Sequence, residues 1–389
     1  MLTLTWEMGN PNTQPVKVLG SLELASNVSQ VKKQGDNLWA VGQGNSGLHR
    51  LYRYTTQDIT APAQQWKLPQ SYNNVVLNDK LAVFYNTNPI AIQVAELTSG
   101  KVRPAQRLEA VTTENDGKMT EWTNRSQWML QGDKLYVAES RYITTPMPYQ
   151  WKNGIVPTNY SDSYQSHTLL RSWNLLPDGA KEETARSIPG EPIGVAADGK
   201  YVITREISQQ LRLNLLALNS DNARLVSSRE LPCRSNSQAI WVDGAVYVTC
   251  IVNEPTDQTL VEMTTPILKL DPFSGQLAEG FAEIGRWNIK GYHSTISVTA
   301  EGIALIGNNY YSLYTRTMAM VDASLGTTHS KMAMPYYQPD CDIYQLAVGS
   351  QPTLLKHFDN CPISENTSAW NGTQAWIAKG FAGLEMLTW

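Results

Sequence analysis

The sequence predicts an all-β chain built from repeated antiparallel hairpins, and three stretches carry that expectation. SQVKKQGDNLWAV from Ser29, SQWMLQGDKLYVA from Ser126 and SQAIWVDGAVYVT from Ser237 follow one plan. Each has a strand of alternating character, a Gly/Asp turn, and a second strand with an aromatic shortly before its valine. Weaker copies start at Tyr72 (YNNVVLNDKLAVF), Glu191 (EPIGVAADGKYVIT), His293 (HSTISVTAEGIALI) and Thr367 (TSAWNGTQAWIAKG). A third apolar strand follows several hairpins, as in LHRLYRYTT, IAIQVAELTSG, RLNLLALNSDN, PILKLDPFSG and TMAMVDAS. A fourth comes after a polar turn, as in QQWKLP and RLVSSRELP.

Four short strands recurring about every 40 to 50 residues make a sheet that cannot bury both faces alone and must stack on its neighbours. In this the chain resembles the β-propeller superfamily. The resemblance implies a single domain over residues 1–389 with about seven four-stranded blades, near 27–70, 71–112, 122–189, 190–232, 235–290, 293–335 and 367–389. VKVLGSLEL, within residues 16–25, has no hairpin before it, and the terminal GLEMLTW has no partner after it. Pairing of the two completes the last blade and closes the ring, which removes both exposed sheet edges. The stretch from Asp342 to Phe358 holds two apolar runs that fit no blade in this scheme.

Composition agrees with the all-β reading. Of 389 residues, 42% are hydrophobic and 17% charged, while 26 Gly and 20 Pro are spread as turn punctuation. No sustained helical periodicity interrupts them. No apolar run reaches the roughly 18 residues that span a bilayer, and no signal-peptide pattern opens the chain, so export implies a leader already removed. A net charge of -4 argues against general nucleic-acid binding, which needs a concentrated basic surface.

Four cysteines give the compartment signal. Cys233 lies just before the first strand of the Ser237 repeat and Cys250 at the end of its second, so antiparallel pairing brings them to one end of the hairpin. Cys341 and Cys361 flank the segment that does not read as a blade, where a bridge restrains it. Four buried thiols are the alternative. No C-x-x-C is present and the five histidines share no ligand spacing, so no metal site and no cofactor are expected. Two local cysteine pairs favour an oxidising compartment, periplasmic or extracellular.

In β-propellers the innermost strands run the same way along the central channel, and their starting ends ring one mouth where function usually lies. Carried onto this sequence, the resemblance places Arg125, Gln127, Arg141, Arg205, Arg234, Gln238 and His293 at that mouth. The repeated Ser-Gln pairs have a structural reading too, since their side chains can bond neighbouring strands and hold blade to blade. The arginines form a local basic sector that can hold a carboxylate or phosphate, or can pair with Glu139, Glu206 and Glu254. An insertion between the second and third strands of the Ser126 repeat carries Tyr149, Trp151, Tyr160 and Tyr164, an aromatic density suited to covering a cleft or meeting a partner.

Catalytic signatures are missing: there is no G-x-S-x-G, H-E-x-x-H, Walker loop or strand-following G-x-G-x-x-G. DPFSGQL from Asp271 is similar to a turn of quinoprotein propellers but reads most simply as a tight turn. Glu139, Glu206, Glu254 and Asp342 are acid/base candidates by location only. Two readings follow. One is a secreted or periplasmic module binding a protein, glycan or cell-envelope partner, within a larger surface assembly. The other is a lyase or hydrolase acting on an anionic or carbohydrate substrate at the mouth.

Overall fold

The computed structural model describes residues 17–21, 26–44, 49–60, 62–68, 72, 74–87, 90–108, 120–144, 164–183, 185–207, 210–219, 222–234, 236–252, 263–274, 280–307, 340–358, 361–363, 367–379 and 384–389. These residues form strands only. β1 (Lys17–Ser21) is followed by blade one, β2 (Ser26–Gln34), β3 (Asn37–Gly44), β4 (His49–Thr55) and β5 (Gln64–Lys67). Blade two comprises β6 (Asn74–Leu77), β7 (Leu81–Thr87), β8 (Ile90–Glu96) and β9 (Gln106–Arg107). Blade three comprises β10 (Thr120–Gln131), β11 (Lys134–Thr144), β12 (Tyr164–Leu176), β13 (Gly179–Glu182) and β14 (Arg186–Ile188). Blade four is β15 (Glu191–Val195), β16 (Tyr201–Ile207), β17 (Gln210–Leu218) and β18 (Ala223–Arg234). Blade five is β19 (Ala239–Val242), β20 (Ala245–Thr249), β21 (Thr264–Asp271) and β22 (Ala282–Lys290). Blade six is β23 (Thr295–Val298), β24 (Ile303–Gly307), β25 (Cys341–Gln345) and β26 (Thr353–Phe358). β27 (Ser368–Trp370), β28 (Gln374–Ala378) and β29 (Leu384–Thr388) make the last blade, and β1 supplies its fourth strand.

The chain is a seven-bladed β-propeller. β1 pairs antiparallel with β29, Lys17 opposite Thr388 and Ser21 opposite Glu385, so the expected closure forms and no free edge remains at that seam. The expected Gly/Asp turns also form. Val242 lies opposite Ala245, leaving a two-residue loop in which Asp243 and Gly244 have φ of 45° and 80°, the pattern of a type I′ hairpin turn.

Two blades depart from the sequence reading. Blade six is completed by β25 and β26, which are the two unassigned runs between Asp342 and Phe358; TMAMVDAS lies outside the described residues. In blade three the fourth strand is split, with β13 pairing the lower part of β12 and β14 the upper part. The strands β10 and β11 pair from Leu130–Leu135 out to Thr120–Thr144 with one bulge at Ser126, so this blade extends further at its upper end than the four- and five-residue inner strands of its neighbours.

Alternation along each strand sends one face to each neighbouring blade, and the core is divided accordingly into seven buried clusters, one in each seam. Fully burying one such Leu, Ile or Val contributes about 1.5–3 kcal/mol, so each seam is a core in its own right. Both expected disulfides form, and each sits in a seam. Cys233 lies one residue before the end of β18 of blade four and Cys250 follows β20 of blade five, with Cα atoms 4.8 Å apart. Cys341 opens β25 of blade six and bonds Cys361 on the way to the last blade, with Cα atoms 5.1 Å apart. Stable bridges of this kind persist where thiols are not kept reduced.

Candidate functional site

The innermost strands start at the upper mouth and run down to their hairpin turns at the lower one. At the lower rim, the residue before each of three turns reaches to the next blade: Gln34 Nε2 donates to Asp79, Asn78 Nδ2 to the Gly132 carbonyl (2.8 Å), and Gln131 Nε2 to the Ala197 carbonyl (3.1 Å). Lys33 pairs with Glu301 across that mouth at 3.2 Å. The lower rim therefore reads as a fastening.

At the upper mouth the Ser-Gln repeat does two jobs. Ser237 Oγ accepts the Ile251 N–H within its own blade (3.0 Å), and Gln238 Oε1 accepts the Ile296 N–H from blade six (2.7 Å). Gln127, at the equivalent place in blade three, donates from Nε2 to Glu191 Oε1 of blade four (3.0 Å). Both glutamines are thus held by the following blade.

Arg205 is fixed by the same Glu191, its Nε and Nη2 lying 3.0 and 2.8 Å from Oε2. Burial pushes the Glu191 carboxyl up, but the hydrogen bonds from Gln127 and Arg205 and the guanidinium charge outweigh it and hold the carboxyl below its usual range. Glu191 was not among the carboxylates singled out in the sequence. Counting back from the turn sets Pro192 against Arg205, but a bulge between Pro192 and Gly194 shifts the register by one and puts Glu191 there. The same irregularity falls at Ser29 and Ser126.

The other expected residues are placed as follows. Arg234 is exposed at the end of β18 in blade four, its Nε donating to the Val252 carbonyl at 3.2 Å. Arg125 lies opposite Glu139, and Arg141 opposite Thr123 and His167, in the upper part of blade three; their side chains fall outside the described residues. The arginines thus belong to blades three and four. Glu139 is fully buried and pairs with Arg171 at 3.1 Å, and Arg171 also holds Glu182 at 2.7 Å while lying over the Trp173 ring. Glu206 accepts from Asn214 Nδ2 at 2.7 Å. Tyr164 opens β12 opposite Thr144, with its side chain outside the described residues, as are Tyr149, Trp151, Tyr160 and Glu254 altogether.

His293 is buried at 7% exposure behind the mouth. Its backbone N–H donates to Thr265 Oγ1 (3.0 Å) and its ring Nε2 lies 2.8 Å from the Lys290 carbonyl, which makes Nε2 the protonated nitrogen. Burial pushes its pKa down, against smaller opposing effects of the Lys290 carbonyl and Asp342. Asp342 itself bonds His357 Nδ1 at 2.6 Å. Among the described residues no group of three or more His, Cys, Asp and Glu side chains converges as metal ligands. Of the DPFSGQL segment, Asp271 to Ser274 are described and form a turn, with Asp271 Oδ1 accepting the Phe273 N–H at 2.9 Å.

Between the inner strands lies a channel of about 640 Å³, lined by residues that include Lys32, Lys33, Gln127, Arg205, Gln238, Trp241, Ser297, Thr299, Glu301 and Trp370. That volume suits a small molecule. Trp241 stands against the backbone of Gly194, where a Cβ would come within 2.3 Å of the indole, so blade four must have glycine there.

No protein-family model matches the sequence, and no curated protein matches it. Solved structures share the fold. An oligogalacturonate lyase from Vibrio parahaemolyticus superposes with a TM-score of 0.53 at 11% identity, covering 100% of this chain and 97% of that one. An uncharacterized protein from Listeria monocytogenes EGD-e gives 0.50 at 10% identity, covering 95% and 96%. The WD40 domain of Toxoplasma gondii coronin gives 0.46 at 9% identity, covering 96% and 85%. At these identities the likeness speaks to fold alone.

Proposed function

We propose that this propeller is a binding module of an oxidising compartment, periplasmic or extracellular, which presents its upper mouth to a protein, glycan or cell-envelope partner. The observation that carries this reading is how the mouth's polar groups are held. Gln127, Arg205 and Gln238 are each fixed at one end by a bond within the fold, and Arg205 is balanced by Glu191. Preorganised groups of this kind favour recognition because little side-chain freedom is lost on binding. The enzyme reading needs a group that exchanges protons near neutral pH. Glu191, beside the upper end of the channel, and Glu301, at its lower end, are both held below the usual carboxylate range, which makes them poor acids and weak bases near neutral pH.

The test is a photo-crosslinking residue placed at Arg234 on the upper rim, and in a second protein at the exposed Arg224 near the lower end of the same strand. Expressed in its native compartment, the protein should give a discrete adduct from position 234 and none from 224. Adducts from 224 alone, or equal yields from both, would place the partner face elsewhere. Alkylation of the same material before and after reduction should label no cysteine and then all four.

A further inference from the structure

The bonds that hold the mouth side chains leave particular atoms unspent. Arg205 uses Nε and Nη2 on Glu191, and its Nη1, with two N–H donors, has no partner among the described residues. Among the described residues the Gln238 side chain bonds through its oxygen, to Ile296, and the two N–H donors of Nε2 have no partner there. Among the described residues the Gln127 side chain bonds through its nitrogen, to Glu191, leaving its oxygen as an acceptor. All three residues come from consecutive blades and line the same channel. Two donor groups on adjacent blades of one channel, one carried by a guanidinium and both already immobilised, suit the two oxygens of a carboxylate. The lining beyond them adds the hydroxyl of Ser297 and the indole of Trp241, which suit a hydroxylated carbon skeleton.

We propose that the channel is a binding site for a small hydroxylated monocarboxylate, its carboxylate held between Arg205 Nη1 and Gln238 Nε2. The proposal rests on the reading of the propeller as a binding module and names a ligand class for the channel below the mouth. A single carboxylate fits better than a phosphate dianion, because the Arg205 charge is already balanced by Glu191 and the second donor is a neutral amide. The volume of about 640 Å³ limits the occupant to a small molecule.

Calorimetric titration with gluconate, glucitol and inorganic phosphate tests it. Gluconate and glucitol share a carbon chain of the same length and differ by the carboxylate. Gluconate should bind at millimolar concentration or below and raise the melting temperature, and glucitol and phosphate should do neither. Gln238→Glu keeps an oxygen for the Ile296 N–H but turns the free donor into an anionic acceptor, so it should weaken gluconate binding roughly ten- to a hundredfold with the unfolding midpoint unchanged. Arg205→Gln should weaken it similarly. Absence of gluconate binding, equal binding of gluconate and glucitol, preference for phosphate, or unchanged affinity in Gln238→Glu each overturn the proposal. Crosslinking at Arg234 that persists without gluconate binding removes the channel ligand and leaves the mouth reading standing; gluconate binding without adducts does the reverse.

Discussion

Blade four has two seams, and they are built from different materials. Toward blade five it buries thirteen residues in one cluster, among them Leu211, Leu213, Leu231, Val246, Val248 and Phe281, together with the Cys233–Cys250 bridge. Toward blade three it buries six, Tyr136, Leu170, Ile188, Val195, Val202 and Leu216. Hydrogen bonds supplement the thin seam: Gln127 to Glu191, Gln131 to the Ala197 carbonyl, Tyr136 Oη to the Gly199 carbonyl at 3.3 Å and Arg186 Nε to the Asn219 carbonyl at 2.7 Å. Apolar area contributes stability wherever it is buried, whereas each hydrogen bond exchanges for one to water and nets only about 0.5–1.5 kcal/mol. The two seams thus differ in proportion: the strong one rests on apolar burial and a disulfide beside a few bonds such as Arg234 Nε to the Val252 carbonyl, the thin one relies more on hydrogen bonds, and the site, with Gln127, Arg205 and Gln238 on three consecutive blades, borders both.

The largest effect should come from the strong seam. Replacing Cys233 and Cys250 together by Ser should cost about 2–4 kcal/mol in urea unfolding, since the bridge restrains the unfolded chain. Next comes Gly194→Ala in the same seam: a Cβ placed 2.3 Å from the Trp241 indole should cost about 1–3 kcal/mol through forced repacking. On the thin seam, Tyr136→Phe should cost only about 1 kcal/mol, because one hydrogen bond is lost while the ring stays packed. If Tyr136→Phe proves more damaging than the cysteine pair, the ranking of the seams is reversed.

Acid should separate the seams further. Because the folded-state pKa of Glu191 lies below its unfolded value, the stability it contributes is full above the ordinary glutamate range and is lost as pH falls through the depressed value. The effect is small, since the pair is partly solvent-exposed and screened. Amide exchange of β15 should therefore accelerate on going from neutral pH into the acid range, after correction for intrinsic rates, more than that of β20, whose surroundings are apolar.

Much of this was legible in the sequence, for reasons that differ along the chain. The hairpins showed because period-two alternation and Gly/Asp turns are local, and the closing strand showed because Val18 and its neighbours had nothing nearby to pair with. β25 and β26 were missed because residues 308–340 separate them from β24, and local pattern carries no information about pairing across such a distance. Gln127 and Gln238 stood out because the Ser-Gln pair repeats. The role of Glu191 was hidden by one extra residue at Ile193, since a bulge moves the register without leaving a hydrophobic signal.

On this account the polar groups that line the channel at blades three to five serve recognition and add little to the fold. Arg205→Gln tests it most directly, with gluconate affinity and urea unfolding measured on the same preparation at neutral pH. The predicted result is a loss of affinity with stability changed by no more than about 1 kcal/mol, the range of an exposed ion pair. Unchanged affinity with stability lowered by several kcal/mol would contradict it and make Arg205 a structural partner of Glu191.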